Sequence, residues 1–254
     1  MNPKNEANTH PLSWDDVLKG DVYIINMNRS VDRWHQTRQR IIEAGFHSDR
    51  IQRLSAVDAS QPDELKSAWE TLFPNTSPKL HLEKDPEFVK YVGKQGCFLS
   101  HVKLWKHMVD QRIPWVTLFE DDVLFHPQWE ALASEYYSNT PKDWELIYMG
   151  SQMDFKSAYH IDKGPVYCTH AMLLTLSAAE TLYHYVSSAQ TQLYTIDNLF
   201  HDLQESKQFP VSYYVWNGQY FPCQLARMKK GWDRRNHGLV FQDESMGSYI
   251  KDFY

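Results

Sequence analysis

The stretch Val116–Phe125, VTLFEDDVLF, joins an apolar strand-like run to three consecutive carboxylates, Glu120, Asp121 and Asp122. Neighbouring carboxylates repel one another, and a divalent cation is the simplest compensation for such a cluster. Strand ends in open α/β sheets are also where ligands bind. A hard cation held by two carboxylates can grip a diphosphate. The block therefore predicts metal-assisted chemistry on a nucleotide-linked substrate, and the alternative interpretation is a solvated acidic turn.

The composition indicates a folded, acidic protein. The chain has 254 residues, 42% of them hydrophobic and 23% charged, and its net charge is -6. This length allows a substantial core, and the negative charge argues against a nucleic-acid partner. No apolar run approaches membrane-spanning length, and the N-terminal residues lack the pattern of a secretory signal. We expect a cytoplasmic protein without a membrane span, which leaves peripheral membrane contact open.

Three cysteines, Cys97, Cys168 and Cys223, lie far apart in the sequence. An odd number without close spacing argues against a disulfide framework and against a structural zinc site. Their neighbours are apolar or aromatic, which is typical of buried free thiols. The cysteines therefore fit a reducing compartment.

The order of the predicted elements indicates an α/β fold. Residues 21–26 (DVYIIN) predict a first strand, a helix follows to about Ala44, and residues 51–57 predict a second strand. This β-α-β start implies a parallel sheet with a right-handed crossover. Residues 1–19 resemble a polar arm, and residues 20–254 a single domain. Further helices are expected at 61–72, 96–111, 127–137, 177–188 and 195–206. Further strands are expected at 116–119, running into the acidic triplet, and at 144–149, 166–176 and 209–216, and an irregular tail is expected beyond Gly218.

The turns after the first two strands are candidate nucleotide-binding elements. The first turn carries Asn26, Asn28, Arg29 and Arg33, and such a turn offers free backbone N–H groups beside arginines that recognise anions. The glycine fingerprint of dinucleotide-binding proteins is absent, which disfavours a nicotinamide enzyme. Asp58 follows the second strand and is placed to accept from a base or a ribose. The alternatives are surface charge for the arginines and a helix N-cap region for Asp58.

The segment from Val92 to Trp105, VGKQGCFLSHVKLW, opens the longest predicted helix. Its glycines allow the backbone to approach a ligand closely. Ser100 and Lys103 lie in the first turns, and Lys103 is long enough to reach a phosphate or a sugar hydroxyl. The alternative for Lys103 is a solvated helical face. His101 is more simply interpreted as a structural histidine.

Two aspartates are candidates for a general base. Asp197 follows Thr195 at a predicted helix start, and Asp154 lies in the loop after Gly150. Either carboxylate can take a proton from an acceptor hydroxyl. The alternative for Asp197 is a favourable contact with the helix dipole and no role in catalysis.

The tail from Arg227 to His237 is rich in basic residues. It is interpreted as a lid that neutralises a leaving diphosphate, with His237 completing the metal site. The alternative is a solvated basic tail.

Several of these blocks, in this order, resemble glycosyltransferase family 25, which includes bacterial lipooligosaccharide galactosyltransferases and procollagen galactosyltransferases. The resemblance covers roughly residues 21–205, with Ala59 where glycine is usual and Gln95 where an acidic residue often lies. The blocks that carry it are VYIINMNRSVDRW, RIQRLSAVDAS, GKQGCFLSHVKLW, VTLFEDDVLF, YMGS, CTHAMLLTLSAAETL and TIDNLF.

The resemblance implies a GT-A fold with a mostly parallel central sheet between helices and a Rossmann-like nucleotide-binding half. It implies an inverting transfer from a UDP-sugar, usually UDP-galactose, with Mn²⁺ or Mg²⁺, to a hydroxyl of a glycan, a lipid-linked sugar or hydroxylysine. Glu120 and Asp122 then occupy the outer positions of a D-x-D-type motif. Asp122 is expected to bind the metal directly, and Glu120 to hold the ribose or metal-bound water. The rival hypotheses are a nucleotide-sugar-binding protein without turnover and a metal-dependent phosphohydrolase.

Overall fold

The computed structural model describes residues 10–74, 79–80, 92–153, 159–188, 192–193, 195–217 and 235–246. The described helices are α1 (Trp14–Lys19), α2 (Val31–Glu43), α3 (Pro62–Leu72), α4 (Val92–Gln111), α5 (Trp129–Asn139), α6 (Leu176–Val186) and α7 (Ile196–Glu205), and a 3₁₀ turn spans Glu244–Met246. The strands are β1 (Val22–Asn26), β2 (Ile51–Ser55), β3 (Lys79–Leu80), β4 (Trp115–Glu120), β5 (Val123–Phe125), β6 (Leu146–Tyr148), β7 (Gly150–Met153), β8 (Tyr159–Lys163), β9 (Ala171–Thr175), β10 (Gln192–Leu193), β11 (Ser212–Asn217), β12 (Arg235–Gly238) and β13 (Val240–Gln242).

Seven strands form the central sheet, in the order β2-β1-β4-β9-β6-β11-β8. Strand β1 is parallel to both β2 and β4, whereas β9 and β8 run against their neighbours. Asn26 lies opposite Ser55 on β2, and Ile25 lies opposite Glu120 on β4. The predicted α/β fold of GT-A type, with a mostly parallel sheet flanked by helices, is confirmed, and the carboxyl ends of β2, β1 and β4 meet at one edge.

The central strands are apolar because both faces of the sheet are covered. Along β1, Tyr23 and Ile25 pack into one buried cluster, whereas Val22 and Ile24 pack into the cluster on the other face. This alternation follows from the two-residue period of a strand. The first cluster contains residues of α4, α6 and α7, and the second contains residues of α2 and α5. Among the described helices, none combines the length and the apolar character needed to cross a membrane.

The N-terminal region contains more structure than a polar arm. Residues Trp14–Lys19 form α1, whose first turn is closed by a capping box between Ser13 and Asp16. Val17 of this helix is fully buried in the second cluster. A short amphipathic turn of this kind gives little periodic signal, so its packing against the domain sets its conformation. Residues 1–9 of the predicted arm lie outside the described residues.

The prediction of an irregular tail beyond Gly218 is wrong for its described part. Strand β12 pairs antiparallel with β7, and β13 pairs antiparallel with β5. Leu239, Val240 and Phe241 are buried in or beside the core. Strands of three or four residues are too short to produce a recognisable alternation, so their partners determine that they form.

Candidate active site

An open cleft of about 190 Å³ lies at the carboxyl edge of β2, β1 and β4. Strand β2 lies on one side of β1 and β4 on the other, so the strand order reverses at this point, which is where α/β sheets bind ligands. The polar and cysteine side chains that line the cleft are Arg29, Arg33, Asp58, Ser60, Cys97, Ser100, His101, Glu120, Asp121, Asp122 and Gln242.

Asp121 is the inward member of the acidic triplet. Its carboxylate accepts a hydrogen bond of 2.5 Å from Nδ2 of Asn26 and forms an ion pair with Arg33. Its carbonyl oxygen accepts from Oγ1 of Thr37 at 2.7 Å. Burial raises the pKa of Asp121, while the charge of Arg33 opposes the rise. These contacts tie the acidic loop to the start of α2.

Only one of the two carboxylate oxygens of Asp122 has a favourable contact among the described residues. Its Oδ2 lies 3.3 Å from Nη2 of Arg33, whereas its Oδ1 is buried and has no hydrogen-bond partner among the described residues. Burial, followed by the negative charge of Glu120, raises the pKa of Asp122 to about 7, although Arg33 acts in the opposite direction. The ionised side chain therefore needs more positive charge than the described residues supply.

Glu120 is held as an anion by polar neighbours. Nε2 of His101 lies 3.2 Å from Oε1 of Glu120, and the hydroxyl of Thr169 donates to the same oxygen at 3.2 Å. Burial alone would raise the pKa of Glu120, but the hydrogen bond and charge of His101 lower it. His101 is fully buried, so the orientation of its ring is set by packing. Glu120 thus keeps its charge beside Asp122.

The donor oxygens suit the divalent cation predicted from the sequence. Mn²⁺ and Mg²⁺ prefer carboxylate oxygens, and Glu120 and Asp122 supply them at the end of β4. The buried Oδ1 of Asp122 is without a partner among the described residues, so a cation there would satisfy it. The residues present fit such an ion.

Asp243, the residue after β13, holds the acidic loop in place, and the sequence did not indicate this contact. The backbone N–H of Asp243 donates to the carbonyl of Asp122 at 2.5 Å, and the Asp243 carboxylate pairs with Arg40 of α2 at 2.7 Å. Burial opposes ionisation of Asp243, but hydrogen bonds from Ser245 and Arg40 lower its pKa below the ordinary value. The acidic loop is therefore held between α2 and the strand that ends at Gln242.

The turn after β2 forms one wall of the cleft. Asp58 and Arg29 are in direct contact as an ion pair. The other carboxylate oxygen of Asp58 accepts from the backbone N–H of Ser60 at 3.1 Å and from its hydroxyl at 2.6 Å. The structure therefore brings Arg29 and Asp58 together at the cleft, where both were predicted to meet a nucleotide.

Asn26 and Asn28 have contacts with the protein itself and do not border the cleft. The Asn26 amide donates to Ser30 and Asp121, and its oxygen accepts from Nε of Arg53 at 2.7 Å. The carbonyl of Asn28 accepts from the same Arg53 at 3.2 Å. These contacts hold the turn after β1 in shape, and direct contact with a nucleotide stays a prediction.

Ser100 and Lys103 fasten α4 to the end of β2. Ser100 Oγ accepts from the backbone N–H of Val57 at 2.9 Å and donates to the carbonyl of Gly96 at 2.6 Å. Nζ of Lys103 donates to the carbonyl of Ser55 at 2.8 Å, away from the cleft lining. Both side chains are already engaged, and their binding to a donor stays a prediction.

Gly96 lines the cleft and also has a packing role, and its close approach to a ligand stays a prediction. A Cβ at this position would lie 2.7 Å from the carbonyl oxygen of Val57. Real Cβ atoms do not approach a carbonyl oxygen so closely, so glycine allows α4 to pack against the turn after β2. This close contact lies beside Cys97 and Val57, which both line the cleft.

Of the two candidates for the general base, Asp197 is the one that the structure describes. Asp197, at the start of α7, is partly exposed, and its Oδ1 accepts from the backbone N–H of Cys168 at 2.9 Å. Cys168 has a φ of 76°, a left-handed conformation that this hydrogen bond helps to hold. The next residue, Thr169, contacts Glu120. Asp197 is thus linked to the site through the backbone of this segment, and its role as a base stays a prediction.

Asp154 and the predicted lid lie largely outside the described residues. Asp154 is not among them, nor are residues 227–234. His237 belongs to β12, opposite Ser151 of β7, but its side chain lies outside the described part of the chain. The lid and a third metal ligand from His237 remain predictions, although its backbone belongs to a strand rather than a loop.

Sequence comparison gives the family. The sequence model of glycosyltransferase family 25 (LPS biosynthesis protein) matches residues 20–164, more than half of the chain. Procollagen galactosyltransferase 2 of Homo sapiens is 28% identical over 158 residues, which is 59% of this chain and 24% of that protein. A glycosyltransferase 25 family member of Anopheles gambiae is 27% identical over 66% of this chain and 29% of that protein.

A third relative carries a different description. The "probable inactive glycosyltransferase 25 family member 3" of Bos taurus is 29% identical over 51% of this chain and 21% of that protein. The chain thus spans about a quarter of the length of the curated relatives that it matches. The matched region holds the first two strands, α4 and the acidic loop, which form most of the cleft. On this match the chain belongs to glycosyltransferase family 25.

Proposed function

We propose that this protein transfers a sugar, galactose, from a UDP-sugar to an acceptor hydroxyl with the help of a divalent cation. The observation that carries the proposal is the pair Glu120 and Asp122 at the end of β4. Glu120 is held ionised, and Asp122 has a buried oxygen without a partner among the described residues. Family membership and the names of the galactosyltransferase relatives support the same reaction.

Glu120 and Asp122 would hold Mn²⁺ or Mg²⁺. When bound, the ion supplies positive charge that stabilises the diphosphate leaving group. His101 and Thr169 keep Glu120 oriented through their contacts with its Oε1. Arg33 contacts both Asp121 and Asp122, so it holds the acidic loop, and its side chain also lines the cleft.

Arg29 and Asp58 are proposed to bind the nucleotide part of the donor. Their ion pair lies in the cleft wall, and the Arg29 side chain is 45% exposed, so it can exchange Asp58 for a diphosphate oxygen. Asp58 would then accept from the ribose or the base. The two residues follow β1 and β2, whose carboxyl ends face the cleft.

A carboxylate deprotonates the acceptor hydroxyl as it attacks the anomeric carbon from the face opposite UDP, which inverts the configuration. Asp197 and Asp154 are the candidates for this base. The acceptor is a glycan, a lipid-linked sugar or hydroxylysine, and a lipid-linked acceptor would bring the protein into peripheral contact with a membrane. A cytoplasmic location stays part of the proposal.

A nucleotide-sugar-binding role without turnover is the second candidate, and the similarity to a probable inactive family member favours it. One assay separates the possibilities. The protein is incubated with UDP-galactose, Mn²⁺ and an acceptor panel, and free UDP, inorganic phosphate and glycosylated acceptor are measured. Transfer predicts UDP and product in equal amounts. A thermal shift with UDP-galactose but no UDP release supports binding alone, and release of inorganic phosphate supports a phosphohydrolase.

A further inference from the structure

Cys97 and His101 lie one turn apart on α4 and face the end of β4. The thiol sulfur, an imidazole nitrogen and a carboxylate oxygen of Glu120 all lie within 4.8 Å of one another. All three side chains border the cleft; those of Cys97 and Glu120 are partly exposed, and that of His101 is fully buried. Residues four apart on a helix lie on the same face, which is a common arrangement for two ligands of one metal.

We infer that Cys97, His101 and Glu120 form a Zn²⁺ site that is distinct in chemistry from the site proposed for Mn²⁺. Thiolate, imidazole and carboxylate are the ligands that Zn²⁺ takes, and three protein ligands leave the fourth tetrahedral position open to the cleft. Mn²⁺ and Mg²⁺ prefer oxygen ligands, so the thiol discriminates between the two kinds of metal. The wide spacing of the cysteines in the sequence hides this site, because Glu120 lies on another element.

The existing distances require little rearrangement. Nε2 of His101 lies 3.2 Å from Oε1 of Glu120. Zinc bonds of about 2.0–2.2 Å in tetrahedral geometry place such a nitrogen and oxygen roughly 3.3 Å apart. The imidazole and carboxylate are therefore already at the separation that one Zn²⁺ requires. Tetrahedral bonds to Zn²⁺ place a sulfur roughly 3.6 Å from such a nitrogen or oxygen. The sulfur lies at most 4.8 Å from either atom, so a small movement of the Cys97 side chain is enough.

The electrostatic surroundings also favour a cation at the thiol. Burial, and then the charges of Glu120, Asp197 and Asp122, raise the pKa of Cys97 well above its ordinary value. The same carboxylates that disfavour a lone thiolate stabilise a doubly charged metal bound to it. Zinc binding should therefore release the thiol proton, as it does at other cysteine sites.

A zinc ion at this site would withdraw Glu120 from the donor site. Zn²⁺ is consequently expected to inhibit transfer and to compete with Mn²⁺, an expectation that rests on the proposed function. Binding of Zn²⁺ itself does not depend on that function, because it requires neither donor nor acceptor. Failure of the transferase assay would therefore leave the metal measurements unaffected.

The test uses the full-length protein stripped of metal and titrated with Cd²⁺, which reports sulfur ligation through thiolate-to-metal absorbance. Wild-type protein should show this absorbance at one equivalent, and added Zn²⁺ should displace it. Cys97→Ser should abolish the absorbance and weaken Zn²⁺ binding at least about tenfold, and His101→Gln should weaken it similarly. Cys168→Ser is the matched control, because Cys168 lies near the cleft but outside the trio, and it should retain both signals.

Persistence of the absorbance in Cys97→Ser, or its loss in Cys168→Ser, would overturn the assignment. If Cys97→Ser does not fold, alkylation of the wild-type protein answers the same question. Peptide mapping should show that Zn²⁺ slows labelling of Cys97 at least about tenfold, whereas Mn²⁺ leaves its rate unchanged. Equal labelling of Cys97 with and without Zn²⁺ would disprove the site.

Discussion

Nη2 of Arg33 lies 3.3 Å from Oδ2 of Asp122, and the same guanidinium contacts the carboxylate of Asp121. One cation therefore serves two largely buried carboxylates, and Glu120 adds a third negative charge beside them. The pKa of Asp122, raised to about 7, reflects this imbalance. The behaviour of the site should accordingly depend on metal, on pH and on Arg33.

Asp122→Asn should separate metal binding from folding. The substitution removes a charge and preserves shape, so Mn²⁺-dependent UDP binding should fall at least about tenfold by calorimetry. The melting temperature of the metal-free protein should hold or rise, because repulsion with Glu120 is relieved. Asp32→Asn, at the exposed start of α2, is the control and should leave binding unchanged. Unaltered metal-dependent binding in Asp122→Asn would contradict its role as a ligand.

The stability of the metal-free protein should decrease as pH rises through the range set by Asp122. Below its ordinary pKa of 3.8, Asp122 is protonated in both folded and unfolded chains. Between 3.8 and about 7, the folded protein keeps a proton that the unfolded chain has released, so stability falls with increasing pH. Melting curves with a chelator should show a smaller decrease for Asp122→Asn. Parallel pH profiles of the two proteins would refute this explanation.

Arg33→Gln should destabilise the metal-free protein by roughly 3 kcal/mol, because it leaves buried carboxylates without their cation. Mn²⁺ should restore more of this loss in the variant than it adds to the wild type. Arg29→Gln is the matched control, since the Arg29 side chain is 45% exposed and its ion pair should contribute less than about 1 kcal/mol. Urea denaturation measures both. Equal losses for the two variants would argue against a special role for Arg33.

Two substitutions at Asp197 distinguish a base from a positioning residue. Asparagine can still accept the N–H of Cys168, whereas alanine cannot. If Asp197 is the base, Asp197→Asn should lower kcat by roughly 10²–10⁴-fold while UDP-sugar affinity changes only a few-fold. If it only positions the segment that carries Thr169, Asp197→Asn should stay active and Asp197→Ala should not. Full activity in both variants would remove Asp197 from the site and favour Asp154.

The sequence alone predicted the sheet and its acidic edge, because both signals are local. The run at 22–25 is apolar, as a strand buried on both faces must be. The change from Phe119 to Glu120 marks the end of β4 to within one residue. The β-α-β order then places Arg29, Asp58 and Glu120 at one edge by topology. These inferences required only the pattern of neighbouring residues and the right-handed crossover of a β-α-β unit.

Other parts of the site were decided by tertiary structure. His101 is 19 residues from Glu120, Asp243 is 121 residues from Asp122, and no local pattern brings either pair together. Nor does sequence reveal that Ser100 and Lys103 turn towards backbone carbonyls, since a helical position fixes a face but not a partner. Hydrophobic and turn patterns determine elements over a few residues. The pairing of buried polar groups depends on which elements pack together, and only the folded chain specifies that.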